Sequence, residues 1–261
     1  MQIGAQLYSA HNRTKTLEGF AETLEKVAKI GYRSVQVSGT CPYEPEWLRD
    51  ELQKNGLVCA MTHIAPAKIL EDPLKVVQEH AVFGCKHIGI GSLGSYGFTN
   101  EGYEAFKKDF IPIAKKIRDA GAKFLYHNHF QEFQGDFAEH NMIDRILEDF
   151  PADAVDFTLD LGWAGFAQQD VVALIEKLAG RLSRIHLKDF LDEFPAGIEG
   201  SRAYLRPIYE GKLPYDEYIK ALAKAGTEYM LVEQDSCYNE DEFECLRRSY
   251  VNVTSRFPEA K

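Results

Sequence analysis

The sequence predicts one α/β domain, residues 1–261, folded as a (β/α)8 barrel. Short apolar or β-branched runs alternate with longer amphipathic runs from one end of the chain to the other. Glycines close several of the amphipathic runs at about the spacing of one βα unit, roughly 30 residues. The length of 261 residues also suits such a barrel, which typically has about 250 residues.

Eight strand candidates lie, in chain order, near residues 2–8, 33–37, 57–63, 87–91, 123–128, 155–160, 183–187 and 229–233. Eight helix candidates alternate with them, near residues 15–30, 44–55, 72–84, 101–120, 138–149, 169–179, 214–225 and 240–256. The first helix candidate has one apolar face, because these residues recur at steps of three and four: Leu17, Phe20, Leu24, Val27 and Ile30. Glycines that commonly terminate helices stand before the next strands: Gly31, Gly56, Gly84, Gly121 and Gly226.

An open doubly wound sheet is the alternative architecture. It normally has fewer strands and binds ligand at one switch point rather than around a ring. No linker rich in proline, glycine or serine divides the chain, which favours a single domain. The longest stretch without periodicity, residues 189–213, follows the seventh strand and is a candidate lid or substrate loop.

The composition argues against two kinds of partner. A formal net charge of −10 does not suit nucleic acid, because phosphate binding needs clustered lysine and arginine. No apolar run approaches the roughly 20 residues of a membrane helix, and no signal peptide is visible. The five cysteines are odd in number and lack C-x-x-C spacing, which indicates reduced thiols. We therefore expect a cytoplasmic protein that binds neither nucleic acid nor membrane.

Metal-binding or proton-transferring side chains stand at the ends of the last four strand candidates. They are His127 and His129, Asp160, His186 and Lys188, and Glu233 and Asp235. Alternate residues of a strand share one face, and the carboxyl ends of parallel strands meet at one end of a barrel. Because a ring of acids and imidazoles is costly unless something binds it, we expect these side chains to form one site.

One divalent metal ion is the simplest common ligand of such a ring. Carboxylates and imidazoles without thiolates suit Mn, Zn, Co or Mg. Asp160, His186 and Glu233 are the core ligand candidates, each at the end of a different strand. The fourth ligand is expected from the fifth strand. Glu132 is favoured because a carboxylate is the harder ligand and is ionised at any working pH, and His127 is the alternative.

Other polar side chains near the same strand ends are candidates for binding a substrate. Lys188 could hold a substrate oxygen or phosphate, or pair with Asp189 or another strand-end acid. His63 ends the third strand candidate, and His129 and Asp235 share strand faces with ligand candidates. These four residues, His63, His129, Lys188 and Asp235, are the predicted substrate contacts.

Two further features are given structural interpretations. The run Gly89–Gly94 matches G-x-G-x-x-G, but the residues after it delay the helix that a dinucleotide site requires. We interpret it as a loop at the barrel mouth that could cradle a phosphate or sugar hydroxyls. Tyr8, Gln36 and Trp163 also lie at strand ends and could line a sugar pocket, but packing is the favoured role for each.

The chain resembles the xylose isomerase-like TIM-barrel superfamily in four stretches. They are Tyr126-His127-Asn128-His129 with Glu132 and Phe133, Leu159–Trp163, His186–Asp189 and Glu233–Asp235. Within it the chain looks like the sugar phosphate isomerase/epimerase branch, whose relatives include inosose dehydratases and isomerases, ketose 3-epimerases and hydroxypyruvate isomerases. The resemblance implies a Glu-Asp-His-Glu metal set, which maps onto Asp160, His186 and Glu233. The chain departs from the family pattern at the fifth strand, which carries His127, and at the second, which ends in Gln36 where Glu is frequent.

The resemblance also implies an activity. We expect a metal-dependent isomerase or epimerase of a small sugar, sugar phosphate or keto-polyol, with a proton moving through a metal-stabilised enediolate. Glu233 and either His127 or Glu132 would be the acid/base pair, and a homodimer or homotetramer would be the candidate assembly. One alternative is a dehydratase or keto-glycoside lyase, in which His127 and His129 supply the acid. Another is a non-catalytic sugar-binding barrel.

Overall fold

The computed structural model describes residues 1–191 and 205–261, and in it eight parallel strands close into a barrel. The strands in the described residues are β1 (Gln2–Gln6), β2 (Ser34–Val37), β3 (Val58–His63), β4 (His87–Ile90), β5 (Lys123–His127), β6 (Val155–Asp160), β7 (Arg184–Leu187), β8 (Asp189–Phe190), β9 (Leu205–Arg206) and β10 (Tyr229–Val232). Strands β1 to β7 pair in chain order, and β10 closes the ring between β7 and β1. The predicted (β/α)8 fold is confirmed.

The helices surround this barrel. They are α1 (Leu17–Ile30), α2 (Pro45–Lys54), α3 (Pro66–Glu71), α4 (Pro73–Val82), α5 (Asn100–Asp119), α6 (Met142–Asp149), α7 (Leu161–Phe166), α8 (Val171–Lys177), α9 (Tyr215–Ala225) and α10 (Glu242–Arg256). All eight predicted helices are present within a few residues of their expected limits. The short helices α3 and α7 were not predicted, because six residues are too few to show a helical period. None of the described helices is long and apolar enough to cross a membrane.

Helix α1 shows how the sequence sets an element of the outer ring. Its N-cap is Thr16, whose hydroxyl accepts a hydrogen bond from the amide of Gly19 at 3.1 Å. Its buried face consists of Phe20, Leu24 and Val27. Leu17 was expected on the same face, but it is 43% exposed.

Layers of inward-facing side chains fill the barrel. The middle layer includes an apolar cluster of Met61, Leu125 and Leu231, and the hydroxyl of Thr158 donates to the sulfur of Met61 at 3.5 Å. Two residues further along each strand, the inward-facing positions become polar: His63, His127, Asp160 and Glu233. The two-residue period therefore stacks the polar site directly on the apolar layer, at the carboxyl end of the barrel.

The connection after β7 is held by one buried acid, Asp189. Strands β8 and β9 of this connection pair as an antiparallel ribbon. The middle of the predicted 189–213 loop, residues 192–204, lies outside the described residues. The carboxylate of Asp189 accepts four backbone hydrogen bonds of 2.9 to 3.2 Å, from the amides of Phe190, Tyr209, Gly211 and Leu213. Asp189 therefore anchors the segment around residues 209–213. It does not pair with Lys188, although the sequence had allowed that pairing.

Replacing Asp189 by asparagine is expected to destabilise the fold by about 1–3 kcal/mol, because the new amide group turns an N–H donor toward backbone N–H donors. Urea unfolding followed by circular dichroism measures this change. Asp216→Asn is the matched control, since Asp216 accepts only an exposed hydrogen bond from the Tyr209 hydroxyl in the described structure. Equal stabilities for the two variants would show that Asp189 is not an anchor.

Candidate functional site

Four buried side chains converge at the carboxyl end of the barrel. His127, Asp160, His186 and Glu233 form a group, called here the four-residue group, whose potential metal-ligating atoms all lie within 4.8 Å of one another. His186 Nδ1 lies 2.9 Å from Glu233 Oε2 and 3.7 Å from Asp160 Oδ2. Three of these residues are the predicted core ligands, and His127 is the alternative that the sequence offered for the fourth position.

The donor atoms of this group fit a bound cation. Asp160 Oδ2, His186 Nδ1 and Glu233 Oε2 are buried, and their short contacts with one another and with Lys188 lack hydrogen-bond geometry. The other oxygen of Asp160 accepts a bond from the amide of Trp163 at 2.8 Å, which caps helix α7. Because buried polar atoms rarely lack well-formed hydrogen bonds, the convergence of three such atoms indicates that the group could bind a metal ion.

Gln36 fixes the orientation of His186. Its Oε1 lies 2.7 Å from His186 Nε2, so the imidazole donates its Nε2–H there and turns Nδ1 toward the four-residue group. The sequence had favoured a packing role for Gln36. The signal that could have revealed this contact is its inward position on β2, two residues after Ser34.

Lys188 places a buried ammonium group among the acids. Its Nζ lies 3.0 Å from Asp160 Oδ2, 2.9 Å from Glu233 Oε2 and 3.2 Å from Asp235 Oδ2. The first two contacts are ion pairs without hydrogen-bond geometry, whereas Lys188 donates a hydrogen bond to Asp235. The ammonium also lies 4.7 Å from the centre of the Trp163 ring. Burial alone would lower the pKa of Lys188, but the three carboxylates outweigh it and raise that pKa, so Lys188 is charged.

Burial and charge set the protonation of the imidazoles. Burial and the neighbouring His186 lower the pKa of His63 and of His127 well below the usual range. Burial and the ammonium of Lys188 lower the pKa of His129 to about 4. Burial also acts to lower the pKa of His186, but Glu233 and Asp160 outweigh it and raise it to about 9. His63, His127 and His129 are therefore neutral near pH 7, a form that binds metal or accepts a proton rather than acting as an acid.

Glu132, the favoured fourth ligand from the sequence, is not among these converging side chains. Its carboxylate accepts hydrogen bonds of 2.9 Å from the hydroxyl of Tyr126 and from the backbone amide of His129. Tyr126 packs in the outer apolar core, between the barrel and the helices, and it holds Glu132 there. Glu132 therefore orders the loop after β5, while His127, on the inward face of that strand, joins the four-residue group.

A cavity of about 290 Å³ opens above the four-residue group. It is lined by all the predicted substrate contacts, His63, His129, Lys188 and Asp235, and also by Tyr8 and Ser38. A groove of about 660 Å³ adjoins it and shares Ser38 and His63 with it. The central cavity is near the lower end of the usual range for small-molecule sites, roughly 300–1,000 Å³, which suits a small polar ligand.

Comparisons with known proteins agree with this architecture. Residues 24–249 match the family model described as xylose isomerase-like TIM barrel. A curated inosose dehydratase from Mesomycoplasma hyopneumoniae strain J is 24% identical over 194 residues. That alignment covers 67% of this chain, and the chain spans 63% of the length of the curated relative.

Two solved structures share the fold over almost their whole length. A sugar phosphate isomerase/epimerase from Parabacteroides distasonis ATCC 8503 superposes with a TM-score of 0.78 at 21% identity, covering 97% of this chain and 96% of that chain. The structure of the IOLI protein with a binding zinc atom superposes with a TM-score of 0.74 at 12% identity, covering 100% and 99%. At these identities the likeness establishes the fold.

Proposed function

This chain belongs to the xylose isomerase-like TIM barrel family, and on that premise we propose that it is a divalent-metal-dependent isomerase or epimerase of a small sugar, sugar phosphate or keto-polyol. The observation that carries the proposal is the convergence of three buried atoms without well-formed hydrogen bonds, Asp160 Oδ2, His186 Nδ1 and Glu233 Oε2, below a polar cavity. The match to a sugar phosphate isomerase/epimerase supports the same class of reaction.

The four-residue group would hold the cation. Asp160, His186 and Glu233 offer Oδ2, Nδ1 and Oε2, and His127 offers Nε2, because its Nδ1 lies 3.3 Å from the carbonyl oxygen of Thr158. When bound, a Mn, Zn, Co or Mg ion supplies Lewis acidity that weakens the C–H bond next to a substrate carbonyl. The zinc atom bound in the structure of the IOLI protein supports a divalent metal in this fold.

The residues of this chain would move the proton. Burial acts to raise the pKa of Glu233, but Lys188 and His186 outweigh it and hold that pKa well below the usual range, so the carboxylate is ionised and can accept a proton. His127 is neutral, but with Nε2 on the cation and Nδ1 against the Thr158 carbonyl oxygen it would have no ring nitrogen left to move a proton. The ammonium of Lys188 would offset the negative charge of the enediolate, and His129 and Asp235 would bind substrate hydroxyls.

Hydrogen exchange tests this proposal. The protein is incubated with candidate ketoses and keto-polyols in deuterated water, with Mn, Zn, Co or Mg in separate samples. Deuterium is expected to enter at the carbon next to the carbonyl, because a proton removed from that carbon is replaced from solvent. If no substrate exchanges with any of the four metals, the proposal of proton transfer is wrong.

Elimination by a dehydratase or keto-glycoside lyase is the second candidate function. The match to an inosose dehydratase favours it, and the same proton abstraction would begin it. The departing hydroxyl or aglycone needs a proton, and Asp235, whose pKa burial raises to about 6, lines the cavity and is the candidate donor. Mass spectrometry of the products separates the two candidates, since elimination releases water or aglycone and isomerisation leaves the mass unchanged. A non-catalytic barrel would show neither outcome.

The choice of fourth ligand has its own test. His127→Ala is expected to lower the affinity for the divalent cation by about 10- to 100-fold or more, because it removes one ligand of the four-residue group. Glu132→Gln is the matched comparison and is expected to leave that affinity almost unchanged, since Glu132 bonds to Tyr126 and the His129 amide instead. Isothermal titration of both variants measures this difference. The reverse order of affinities would restore Glu132 as the ligand.

A further inference from the structure

We infer that His63 gives the proposed metal site an imidazole-rich face, and that this face selects a zinc-type cation over Mn²⁺ and Mg²⁺. The inference rests on the proposed function, because it concerns the cation of the same site. It assigns to the cation a residue that the sequence had placed among the substrate contacts.

The imidazole face consists of His63, His127 and His186. Their potential ligating atoms lie within 4.8 Å of one another, and the face shares His127 and His186 with the four-residue group. The ring centres are 5.0 Å apart for His63 and His127, 5.5 Å for His63 and His186, and 4.5 Å for His127 and His186. His63 Nε2 is buried and makes no hydrogen bond with the described residues. The site thus offers two overlapping ligand sets for one cation.

Two glycines hold the His63 ring in this position. A Cβ atom on Gly89 would lie 3.1 Å from His63 Cδ2, and a Cβ atom on Gly91 would lie 3.1 Å from His63 Nδ1. A side chain at either position would press on the imidazole. With Nδ1 against Gly91, it is the unbonded Nε2 that is left to bind a cation. This close packing accounts for the Gly-x-Gly pair at the start of the Gly89–Gly94 run, which the sequence had interpreted as a mouth loop.

The two faces differ in charge. The carboxylate face, formed by Asp160 and Glu233, already carries the ammonium of Lys188, which lies 3.0 Å from Asp160 Oδ2 and 2.9 Å from Glu233 Oε2 and offsets part of the attraction of this face for hard cations. The imidazole face adds a nitrogen ligand without adding charge. Mg²⁺ and Mn²⁺ prefer oxygen ligands, whereas imidazole suits Zn²⁺, and affinity for such sites rises from Mn²⁺ to Zn²⁺. His63 should therefore contribute to zinc binding far more than to manganese binding.

Competition titrations against a chromophoric chelator test the inference with Zn²⁺ and Mn²⁺ as probes. In His63→Ala the affinity for Zn²⁺ is expected to fall by at least about tenfold, while that for Mn²⁺ changes by less than about threefold. Gly91→Ala is expected to reduce the zinc preference in the same direction, because its methyl group would displace the His63 ring. His129→Ala is the matched control and should keep the wild-type ratio of affinities, since His129 lines the same cavity outside both ligand sets.

An equal loss of both affinities in His63→Ala, or no loss of zinc affinity, would overturn the inference. A wild-type protein that binds neither cation would contradict the proposed function itself, so the two failures are distinguishable. Thermal unfolding without metal checks that each variant is folded. If His63→Ala does not fold, His63→Gln and Gly91→Ala provide the same comparison of zinc and manganese.

Discussion

Replacing Glu233 by glutamine is expected to lower the affinity for the divalent cation by more than about 100-fold and to abolish hydrogen exchange into substrate. The change keeps the size of the side chain but removes a buried charge. The new amide group also turns N–H donors toward Lys188 Nζ or His186 Nδ1, each 2.9 Å from Glu233 Oε2. This one substitution therefore removes both a proposed ligand of the cation and the proposed base of the reaction.

Glu228→Gln is the matched control for this prediction. Glu228 immediately precedes β10 at the opposite end of the barrel, where its carboxylate pairs with Arg184 at 2.9 Å and its side chain is 59% exposed. This variant is expected to keep wild-type metal affinity and exchange rate. Isothermal titration and deuterium exchange measure both properties. A Glu233→Gln protein that still binds metal as the wild type does would exclude Glu233 from the ligand set.

Replacing Lys188 by methionine is expected to destabilise the metal-free protein by about 3–5 kcal/mol, because it leaves buried carboxylates without their counter-ion. The ammonium group of Lys188 contacts Asp160, Glu233 and Asp235 at 2.9 to 3.2 Å, and Lys188 is 1% exposed. Methionine retains the apolar stem above Trp163 but has no charge. Added Mn²⁺ or Zn²⁺ is expected to recover part of the lost stability, since either cation would replace the missing positive charge.

The loss in Lys188→Met is expected to be larger at pH 8 than at pH 5. Burial raises the pKa of Asp235 to about 6 even beside Lys188, and Lys188 contributes to holding the pKa of Glu233 low against its burial. Without the ammonium both pKa values rise. A carboxyl group whose pKa is higher in the folded state than in the unfolded state binds its proton more tightly in the folded state than in the unfolded state. Its contribution to stability is therefore present at low pH and is lost as the pH rises through that pKa.

Urea unfolding of the metal-free proteins at pH 5 and pH 8 measures these differences in free energy. Lys177→Met is the matched control, because Lys177 pairs with Asp144 at 2.8 Å but is 46% exposed at its side chain. An exposed pair of this kind contributes at most about 1 kcal/mol, so the control should change little at either pH. Similar losses in the two variants, or a loss in Lys188→Met that does not depend on pH, would show that Lys188 does not neutralise the acids.

The barrel could be predicted because its elements repeat. Each strand has an apolar or β-branched run, and each long helix has an apolar face several turns long, so local patterns suffice for both. The short helix α7 could not be predicted in this way. It depends on a single cap, the bond from the amide of Trp163 to Asp160, and on the position of Asp160 at the end of β6. The middle of the connection from 189 to 213 lies outside the described residues.

The candidate site could be predicted where its residues lie on strands. Asp160 lies at the end of β6, and His186 and Glu233 lie at or just beyond the ends of β7 and β10. Two-residue alternation makes these positions face inward, and barrel closure brings them together. Glu132 follows β5 in a loop, so no strand period fixes its direction. The hydroxyl of Tyr126, on the outward face of β5, holds it away from the mouth.

The sequence by itself determined the (β/α)8 fold, the end of the barrel that carries the polar residues and three of the four converging side chains, because these follow from periodicities of two and 3.6 residues. Only the tertiary structure decided the rest. It placed His127 rather than Glu132 in the four-residue group, aligned His186 through Gln36, and set Lys188 among three acids. Partners such as His186 and Gln36 are 150 residues apart in the chain, so closure of the barrel, not local sequence, brings them together.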